Sequence, residues 1–433
     1  MPVFLNSQNS DFEKDFKKLL SSKREDSLDV DLSVKEIIEA VIEKGDQALI
    51  EYTQKFDRIS LNSVNLRFTQ SEVEEQAAKV SDKDRKALEM AAARIEAFHK
   101  KQLPDNAFWT DDSGVELGWR WSPVAAAGLY VPGGLASYPS SVLMNAIPAK
   151  VAGVRRLAIT VPTPDNKINP MVLLAAQLSG VNEIYRVGGA QAIAALAYGT
   201  KTIQPVDKIT GPGNAFVAAA KRQVFGKVGI DMIAGPSEVL VIADKTSRPD
   251  WIALDLLSQA EHDENAQSIL ITDSDNVAKA AIEQVDIILK NLSRAEIAGK
   301  SWKHNGAVIK VPDLDTAAEL SNRIAPEHLE LCVSNPEDLA KKIFNAGAIF
   351  LGHWTPEAVG DYVTGPNHVL PTSRSARFSS GLSVMEFLKR TTLAKVSRGA
   401  LLKIGPSAVT LANSEGLECH GRSINERMKS NSE

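Results

Sequence analysis

Short apolar runs alternate with longer Ala- and Leu-rich segments from about residue 125 to residue 352. The runs are RRLAITV, EIYRVG, PVDKIT, EVLVIA, SILIT, GAVIKV and GAIFLG. They are rich in β-branched residues, as strands are, and the segments between them are long enough to form helices. This alternation is typical of βαβ units and predicts parallel sheets. Because the runs are too many for one sheet of five or six strands, we predict two α/β domains.

The two ends of the chain follow other patterns. VDLSVKEIIEAVIEKGDQALIEYTQKF (30–56) and DKDRKALEMAAARIEAFHKKQ (82–102) have apolar residues at helical spacing, so the chain is predicted to be helical up to about Lys101. His99 lies among lysines and is expected at the surface. Beyond Leu382, VMEFLKR and the stretch around Pro406–Ser414 predict helices. This last part is too short to bury a core of its own, so we expect an arm that packs on another domain or subunit.

Composition narrows the class of protein. A chain of 433 residues with 44% hydrophobic and 24% charged residues is long enough for two or three globular domains. The net charge of -5, without a basic stripe, argues against nucleic-acid binding. The two cysteines, Cys332 and Cys419, exclude a disulfide framework and a cysteine-rich zinc module. No signal-peptide or membrane-span pattern occurs, so we expect a cytoplasmic protein without a membrane partner.

Three glycine-rich stretches mark candidate ligand sites. VGGAQAIAAL (187–196) and TGPGNAFVAAAK (210–221) each follow a strand-like run and open a helix, and GLYVPGGLASYPSS (128–141) is a third such turn, with Tyr130 inside it. Glycines at these positions let phosphates approach backbone N–H groups at a helix N-terminus. None is a full dinucleotide fingerprint, and each alone could be a plain strand-to-helix turn. Together they favour a nucleotide.

The stretch LLSQAEHDENAQS (256–268) places Gln259 and His262 three residues apart. If the helix continues through both, they lie roughly 60° apart on one face, whereas the neighbouring acids point elsewhere. Gln259 also extends an apolar stripe that should be buried, and buried polar groups need partners. The spacing therefore favours a shared polar site over a solvated helix end, without naming its ligand.

Further candidates lie near the end of the α/β region. IAPEHLELCV (324–333) contains Glu327 and His328 after a helix-breaking Pro326, on a connection or at a strand edge. A histidine beside a carboxylate can act as a general base, although a surface turn is the alternative. A long Gly-, Pro- and Ser-rich segment (356–381) carries Asp361 and His368, as loops at functional sites do. The other acid–histidine combination is Glu415 and His420 near the C-terminus.

In this order, these motifs resemble those of the histidinol dehydrogenase family, over essentially the whole chain. The shared motifs are GLYVPGG, VGGAQAIAALAYGT, ITGPGNAFV, DMIAGPSEVLVIAD, LLSQAEHDENAQS, APEHLEL, GDYVTGPNHVLPT, ARFSSGLSV and EGLECHGRS. The resemblance implies an enzyme that oxidises L-histidinol to L-histidine through L-histidinal in histidine biosynthesis, with two NAD molecules reduced and one zinc ion per subunit.

The resemblance also assigns roles to single residues. It implies zinc ligands at Gln259, His262, Asp361 and His420, with His420 supplied by the other subunit of a homodimer. Substrate contacts would come from the same four residues and from Ser237, His328, His368 and Glu415. The NAD contacts map to Tyr130, Gln191 and Asn214. His328 would remove the hydroxyl proton, and Glu327 would activate water for attack on the aldehyde.

The implied fold is α/β, with two Rossmann-like α/β domains, a helical N-terminal segment and a C-terminal arm used in dimerisation. We expect an N-terminal arm at 1–25, a discontinuous α/β domain at 26–129 and 238–381 with most zinc and catalytic residues, a nucleotide-binding domain at 130–237, and the dimerisation arm at 382–433. The segment IAGPSEV (233–239) would cross between the α/β domains.

Two other functions remain as alternatives. A zinc hydrolase would use Glu327 as the base for a metal-bound water. A non-catalytic nucleotide-binding protein would use the glycine-rich turns alone. NADH production from histidinol, and its dependence on zinc, distinguishes the three.

Overall fold

The computed structural model describes residues 2–21, 28–133, 138–181, 183–233 and 235–430. The expected domain boundary at residue 25, residues 134–137 of the third glycine-rich turn and residue 234 of the expected crossing segment lie outside the described residues. The chain divides into two compact units. The first comprises Met1–Gln102 and Ala125–Phe387, and the second comprises Leu103–Val124 and Leu388–Glu433.

The strands follow the predicted apolar runs closely in the middle of the chain. In chain order they are β1 Val3–Asn6, β2 Ala107–Thr110, β3 Val115–Pro123, β4 Ala126–Tyr130, β5 Arg156–Thr160, β6 Glu183–Tyr185, β7 Lys208–Thr210, β8 Gly229–Ile230, β9 Glu238–Ala243, β10 Gln267–Thr272, β11 Ala307–Lys310, β12 His328–Cys332, β13 Ala348–Leu351 and β14 Leu388–Val396.

The helices lie between the strands or in runs at the two ends. They are α1 Phe12–Ser21, α2 Leu28–Lys44, α3 Asp46–Asp57, α4 Gln70–Ala77, α5 Asp82–Lys100, α6 Pro139–Ala152, α7 Pro170–Leu178, α8 Gly189–Tyr198, α9 Ala215–Val224, α10 Pro249–Ala260, α11 Asp275–Leu289, α12 Ala295–Asn305, α13 Leu314–Ile324, α14 Pro336–Ala340, α15 Glu357–Tyr362, α16 Arg398–Ser414 and α17 Glu418–Lys429. Among the described helices, none is long and apolar enough to cross a membrane.

The first unit contains two parallel sheets, as predicted. One has five strands in the order β6-β5-β4-β7-β8, and the other has six in the order β1-β11-β10-β9-β12-β13. Every residue of β9 and β10 is buried, because helices cover both faces of a parallel sheet. In the five-stranded sheet the chain starts in the inner strand β4 and adds strands first on one side and then on the other. In the six-stranded sheet β1 lies at one edge, and the later strands start from the inner strand β9 in the same way.

The N-terminal residues are distributed over both sheets. Strand β1 pairs with β11 at the edge of the six-stranded sheet, and Phe12 and Phe16 of α1 pack into its core, so this segment extends a sheet and is more than a helical arm. Helix α2 packs on α8 and α9, whereas α4 and α5 pack on α7 and α6. The helices after residue 28 therefore cover the five-stranded sheet, which differs from the expected grouping of 26–129 with 238–381. Helical periodicity indicates which face is buried but does not identify its partner.

The second unit is built on a three-stranded antiparallel sheet in the order β14-β3-β2. Strand β14 pairs with β3 along its whole length, from Leu388 opposite Pro123 to Val396 opposite Val115. The helix predicted over VMEFLKR is therefore wrong: residues 384–387 form one 3-10 turn, and the strand follows. Pairing with a strand more than 250 residues earlier in the chain overrides the local pattern. The helix expected around Pro406–Ser414 is confirmed as part of α16.

Candidate active site

Glu327 and His328 lie where the chain enters β12, a central strand between β9 and β13. Ala325, with a φ of 50°, ends α13 in the left-handed conformation, and Pro326 leads directly into the strand. Both residues are buried, with 6% and 4% of their surface exposed. The surface-turn alternative is therefore wrong for this pair.

The ring of His328 is oriented by a backbone carbonyl. Its Nδ1 lies 3.0 Å from the carbonyl oxygen of Glu238, and because a carbonyl oxygen only accepts, Nδ1 carries the proton. The buried Nε2 has no hydrogen-bond partner among the described residues. Burial lowers the pKa of His328, so the ring is held neutral. The result is an imidazole with a free basic lone pair on Nε2.

Glu327 occupies the other side of the same ring. Its Oε2 lies 3.7 Å from Nδ1 of His328 and accepts the N–H of Glu238 at 2.9 Å. Burial raises the pKa of Glu327 well above its usual value, while this backbone N–H acts in the opposite direction. A carboxylate of raised pKa is a stronger proton acceptor, which suits a general base.

Two acids of α15 face Nε2 of His328. Glu357 Oε1 lies 3.7 Å away and Asp361 Oδ1 lies 3.9 Å away. The three residues offer ligand atoms that all lie within 4.8 Å of one another. Asp361 was expected in a long loop but belongs to a short helix, and Glu357 was not singled out from the sequence. Burial, followed by repulsion from Asp361, raises the pKa of Glu357 to about 9.

His368 joins this group from the irregular segment after α15. Its Nδ1 lies 3.0 Å from the carbonyl oxygen of Asp361 and 3.8 Å from the Asp361 carboxylate. On the other side of the ring, Nε2 lies 3.3 Å from the hydroxyl of Ser141. Burial lowers the pKa of His368 as well. The sequence predicted this residue, and the structure brings it to Asp361.

Gln259 and His262 are arranged differently from the helical prediction. Helix α10 ends at Ala260, so the shared helical face expected for the two residues is wrong. Gln259 is 1% exposed and its Oε1 has no hydrogen-bond partner among the described residues. His262 is exposed in the turn that follows, where Asp263 accepts the backbone N–H of Asn265. This side-chain turn competes with the next turn of helix.

His262 nevertheless belongs to the same electrostatic neighbourhood. A positive charge on His262 lowers the pKa of both His328 and His368. Ser237 directly precedes β9, where its carbonyl accepts the N–H of Gln267, and its side chain is half-buried. An amide oxygen, a carboxylate and imidazoles are donors that zinc takes, and the unpartnered Oε1 of Gln259 is such a donor. The residues present in the first unit therefore fit a zinc site.

Two predicted residues belong to the second unit. Glu415 follows the last residue of α16, and His420 lies in α17. Both side chains are exposed. They are not among the groups that the first unit assembles.

A second cluster forms at the carboxyl end of the five-stranded sheet. Tyr130 ends β4, and its hydroxyl accepts the N–H of Gly189 at the start of α8. Tyr130 is 4% exposed, and burial raises its pKa to about 12. Gln191, in the first turn of α8, is 1% exposed, and its Oε1 has no hydrogen-bond partner in the part of the chain that the structure describes. Asn214 caps α9 through its side chain, which accepts two backbone N–H groups.

The glycine-rich turns that precede α8 and α9 therefore meet at Tyr130. Gly211, with a φ of 113°, lies so close to this residue that a Cβ would come within 2.1 Å of the Tyr130 carbonyl oxygen. Strands β4 and β7 are neighbours here, and the order of strands reverses between them. α/β proteins bind nucleotides at this kind of switch point.

Sequence reasoning misplaced one histidine. His99 was expected at the surface but is 0% exposed, with Nδ1 2.8 Å from the carbonyl oxygen of Ile95. Its position in α5, four residues after the buried Ile95, is the helical spacing that could have indicated burial. The Nδ2 atom of Asn367, the residue before His368, lies 3.5 Å from Nε2 of His99.

Comparisons with known proteins give one result. The family model described as Histidinol dehydrogenase matches residues 20–428. The protein named Histidinol dehydrogenase from Ruegeria pomeroyi is 68% identical over 428 residues, and that from Cereibacter sphaeroides is 64% identical, with 99% of each chain covered in both cases. The crystal structure of Histidinol Dehydrogenase from Elizabethkingia anophelis is 38% identical with a TM-score of 0.95, covering 100% of this chain and 99% of that one.

Proposed function

The chain belongs to the histidinol dehydrogenase family, and on that basis we propose that it oxidises L-histidinol to L-histidine through L-histidinal with reduction of two NAD molecules. The observation that carries the proposal is the buried, neutral His328, whose Nε2 has no hydrogen-bond partner among the described residues, together with the Glu327 carboxyl group 3.7 Å from Nδ1 of the same ring. Such a pair can serve two successive proton transfers.

His328 is the base of the first half-reaction. Its Nε2 accepts the proton of the substrate hydroxyl while a hydride leaves the carbinol carbon, and the carbonyl of the aldehyde forms. The Glu238 carbonyl keeps the proton on Nδ1, so the base does not turn away or change tautomer. The burial that lowers the pKa of His328 keeps Nε2 available at neutral pH.

Glu327 is the base of the second half-reaction. It takes a proton from water as the water oxygen bonds to the aldehyde carbon, and loss of a second hydride from the hydrated carbon gives the carboxylate. The N–H of Glu238 fixes one of its oxygens and leaves the other for water. The exclusion of bulk water around this 6%-exposed residue strengthens the carboxylate as a base.

Zinc is held by Gln259, His262 and Asp361, with His420 supplied by the second subunit of a homodimer. Ser237, His368 and Glu415 contact the substrate beside these ligands and His328. Tyr130, Gln191 and Asn214 contact NAD. When bound, zinc orients the imidazole and amino nitrogens of the substrate, and NAD accepts the hydride of each half-reaction. The unpartnered amide oxygens of Gln259 and Gln191 support both assignments.

A homodimer is supported by exposed apolar side chains of the first unit. Phe344 is 81% exposed, Trp354 is 85% exposed and Phe378 is 75% exposed. Large aromatic residues of this kind are enriched in interfaces. A dimer mass in solution tests this part of the proposal.

The decisive experiment measures NADH formed from histidinol and NAD, before and after treatment with a chelator. We expect two NADH per histidinol, loss of activity on chelation and recovery with zinc. Absence of NADH from the zinc-loaded protein would favour the hydrolase alternative. NADH formation that survives complete removal of metal would contradict the zinc assignment.

A further inference from the structure

An acidic pair, the half-buried Asp255 of α10 and the buried Glu330 of β12, lies beside the candidate active site. Asp255, Glu330 and Cys332 offer ligand atoms within 4.8 Å of one another. Glu330 is 0% exposed and stands two residues after His328 on β12, so both side chains point to the same face of the sheet. None of these three residues has a part in the proposed chemistry.

The pair is not arranged as a second cation site. The carboxyl groups of Asp255 and Glu330 hydrogen-bond to each other. Burial raises the pKa of Glu330 well above its usual value and that of Asp255 to about 6, so the two groups do not both carry charge at neutral pH. Burial also raises the pKa of the Cys332 thiol, which keeps it protonated. The two carboxyl groups therefore bind each other through a shared proton, which is a structural role.

What Glu330 holds is the start of α15. Its Oε1 accepts the backbone N–H of Glu357, the first residue of that helix, at 2.5 Å. An N–H in the first turn of a helix has no partner within the helix, and leaving it buried and unpaired is destabilising. This bond ties α15 to β12, the strand that also carries His328.

Asp361 lies one turn further along α15, and its carboxyl group hydrogen-bonds to that of Glu357. Ser258 of α10 is 3.4 Å from Glu357 on the other side. The position of Asp361 relative to His328 is therefore set through Glu357, and the position of Glu357 is set by Glu330.

We propose that Glu330 is a positioning residue, whose hydrogen bond to the Glu357 N–H holds Asp361 in place to bind a divalent cation beside His328. This inference rests on the proposed function for the presence of a metal. Groups that orient metal ligands in this way commonly change metal affinity by about 10- to 100-fold when they are removed.

The test compares zinc affinities of the full-length protein, measured by competition with a chromophoric chelator. Glu330→Leu removes the acceptor while keeping a side chain of similar volume. Glu330→Gln keeps a neutral acceptor oxygen at the same place. Ser179→Ala is the control, because it removes a buried hydrogen bond, from the Ser179 hydroxyl to the Ala175 carbonyl, far from the site in sequence.

We expect Glu330→Leu to raise the zinc Kd about ten-fold or more, and Glu330→Gln and Ser179→Ala to stay within about three-fold of the unmodified chain. Unchanged zinc affinity in Glu330→Leu would overturn the inference, and so would a loss in Glu330→Gln as large as in Glu330→Leu. Failure of the unmodified chain to bind zinc would instead refute the proposed function itself, together with this inference.

A second measurement does not depend on a folded Leu variant. Hydrogen exchange of the metal-free, unmodified protein reports directly on the Glu357 amide. We expect slow exchange there compared with the amides of the irregular segment after α15. Equally fast exchange would show that Glu330 does not hold the start of the helix.

Discussion

Lys221 and Asp231 form a buried ion pair at the base of the candidate nucleotide site, with only 2% and 0% of their side chains exposed. The pair holds both backbone groups of Gly211 in the TGPGN turn. Lys221 Nζ donates to the carbonyl of Gly211 at 3.0 Å, and Asp231 Oδ2 accepts the N–H of the same glycine at 2.8 Å. We predict that Lys221→Met destabilises the protein strongly and weakens NAD binding.

The magnitude follows from burial. Methionine keeps the apolar stem but leaves the Asp231 carboxylate without its cation, and breaking a buried pair in this way costs about 3–5 kcal/mol. The pair formed by Arg58 and Asp165 is a useful comparison, because it has two hydrogen bonds but is 62% and 49% exposed. An exposed pair contributes about 0–1 kcal/mol, so Arg58→Met should cost far less.

The assay is urea unfolding of the metal-free protein, followed by tryptophan fluorescence and far-UV circular dichroism. The double variant Lys221→Met with Asp231→Asn removes the unpaired charge but keeps an acceptor for the Gly211 N–H. It should recover part of the stability that Lys221→Met loses. With histidinol saturating, the KM for NAD should rise more than kcat falls in Lys221→Met, because the turn that carries Asn214 is no longer held.

Two results would refute this reasoning. One is a stability loss in Lys221→Met no larger than in Arg58→Met, which would mean that the pair contributes as little as a solvent-exposed one. The other is a double variant no more stable than Lys221→Met, which would mean that the unpaired charge is not the cause of the loss.

Three further predictions concern single positions. Glu327→Gln should slow oxidation of histidinal more than oxidation of histidinol, because only the former needs activated water; equal losses, measured with each substrate separately, contradict the assigned roles. Burial lowers the pKa of His99 from its ordinary 6.5. The free energy of unfolding should therefore keep its full contribution from His99 above pH 6.5 and lose it as the pH falls below that value, because the unfolded chain then binds a proton that the native ring excludes. Urea midpoints at neutral and mildly acidic pH should differ less in His99→Gln than in the unmodified chain. Gly211→Ala should destabilise the protein and reduce NAD binding, because its Cβ would meet the Tyr130 carbonyl at 2.1 Å; a variant with unchanged stability and KM for NAD argues against this close approach.

The sequence determined the elements whose signal is local. The runs EVLVIA and SILIT are strands because both faces are buried, which makes every position apolar, and the Ala-rich segments between them are helices. The motif around Glu327 and His328 marked a candidate general base beside an acid but left a surface turn as the alternative. The turns that begin α8 and α9 were also predicted, since glycine and an N-cap asparagine have local conformational reasons to be there.

Only the tertiary structure decided the partners. Nothing in the sequence around Glu330 shows which group its carboxyl binds. The structure shows that it accepts the N–H at the start of α15. His262 was assigned to a helix that ends two residues earlier, and VMEFLKR leads into a strand because β3 supplies its hydrogen bonds. Likewise, His99 is buried although its neighbours are lysines.

The physical reason is that hydrophobic periodicity records whether a side chain is removed from water, whereas its pKa and hydrogen bonds depend on the particular groups that replace that water. Those groups come from distant parts of the chain: for His328 they are the carbonyl of Glu238 and the acids of α15. The sequence pattern predicted the buried apolar strands, but it missed the burial of His99 and could not give the chemistry of the buried polar groups.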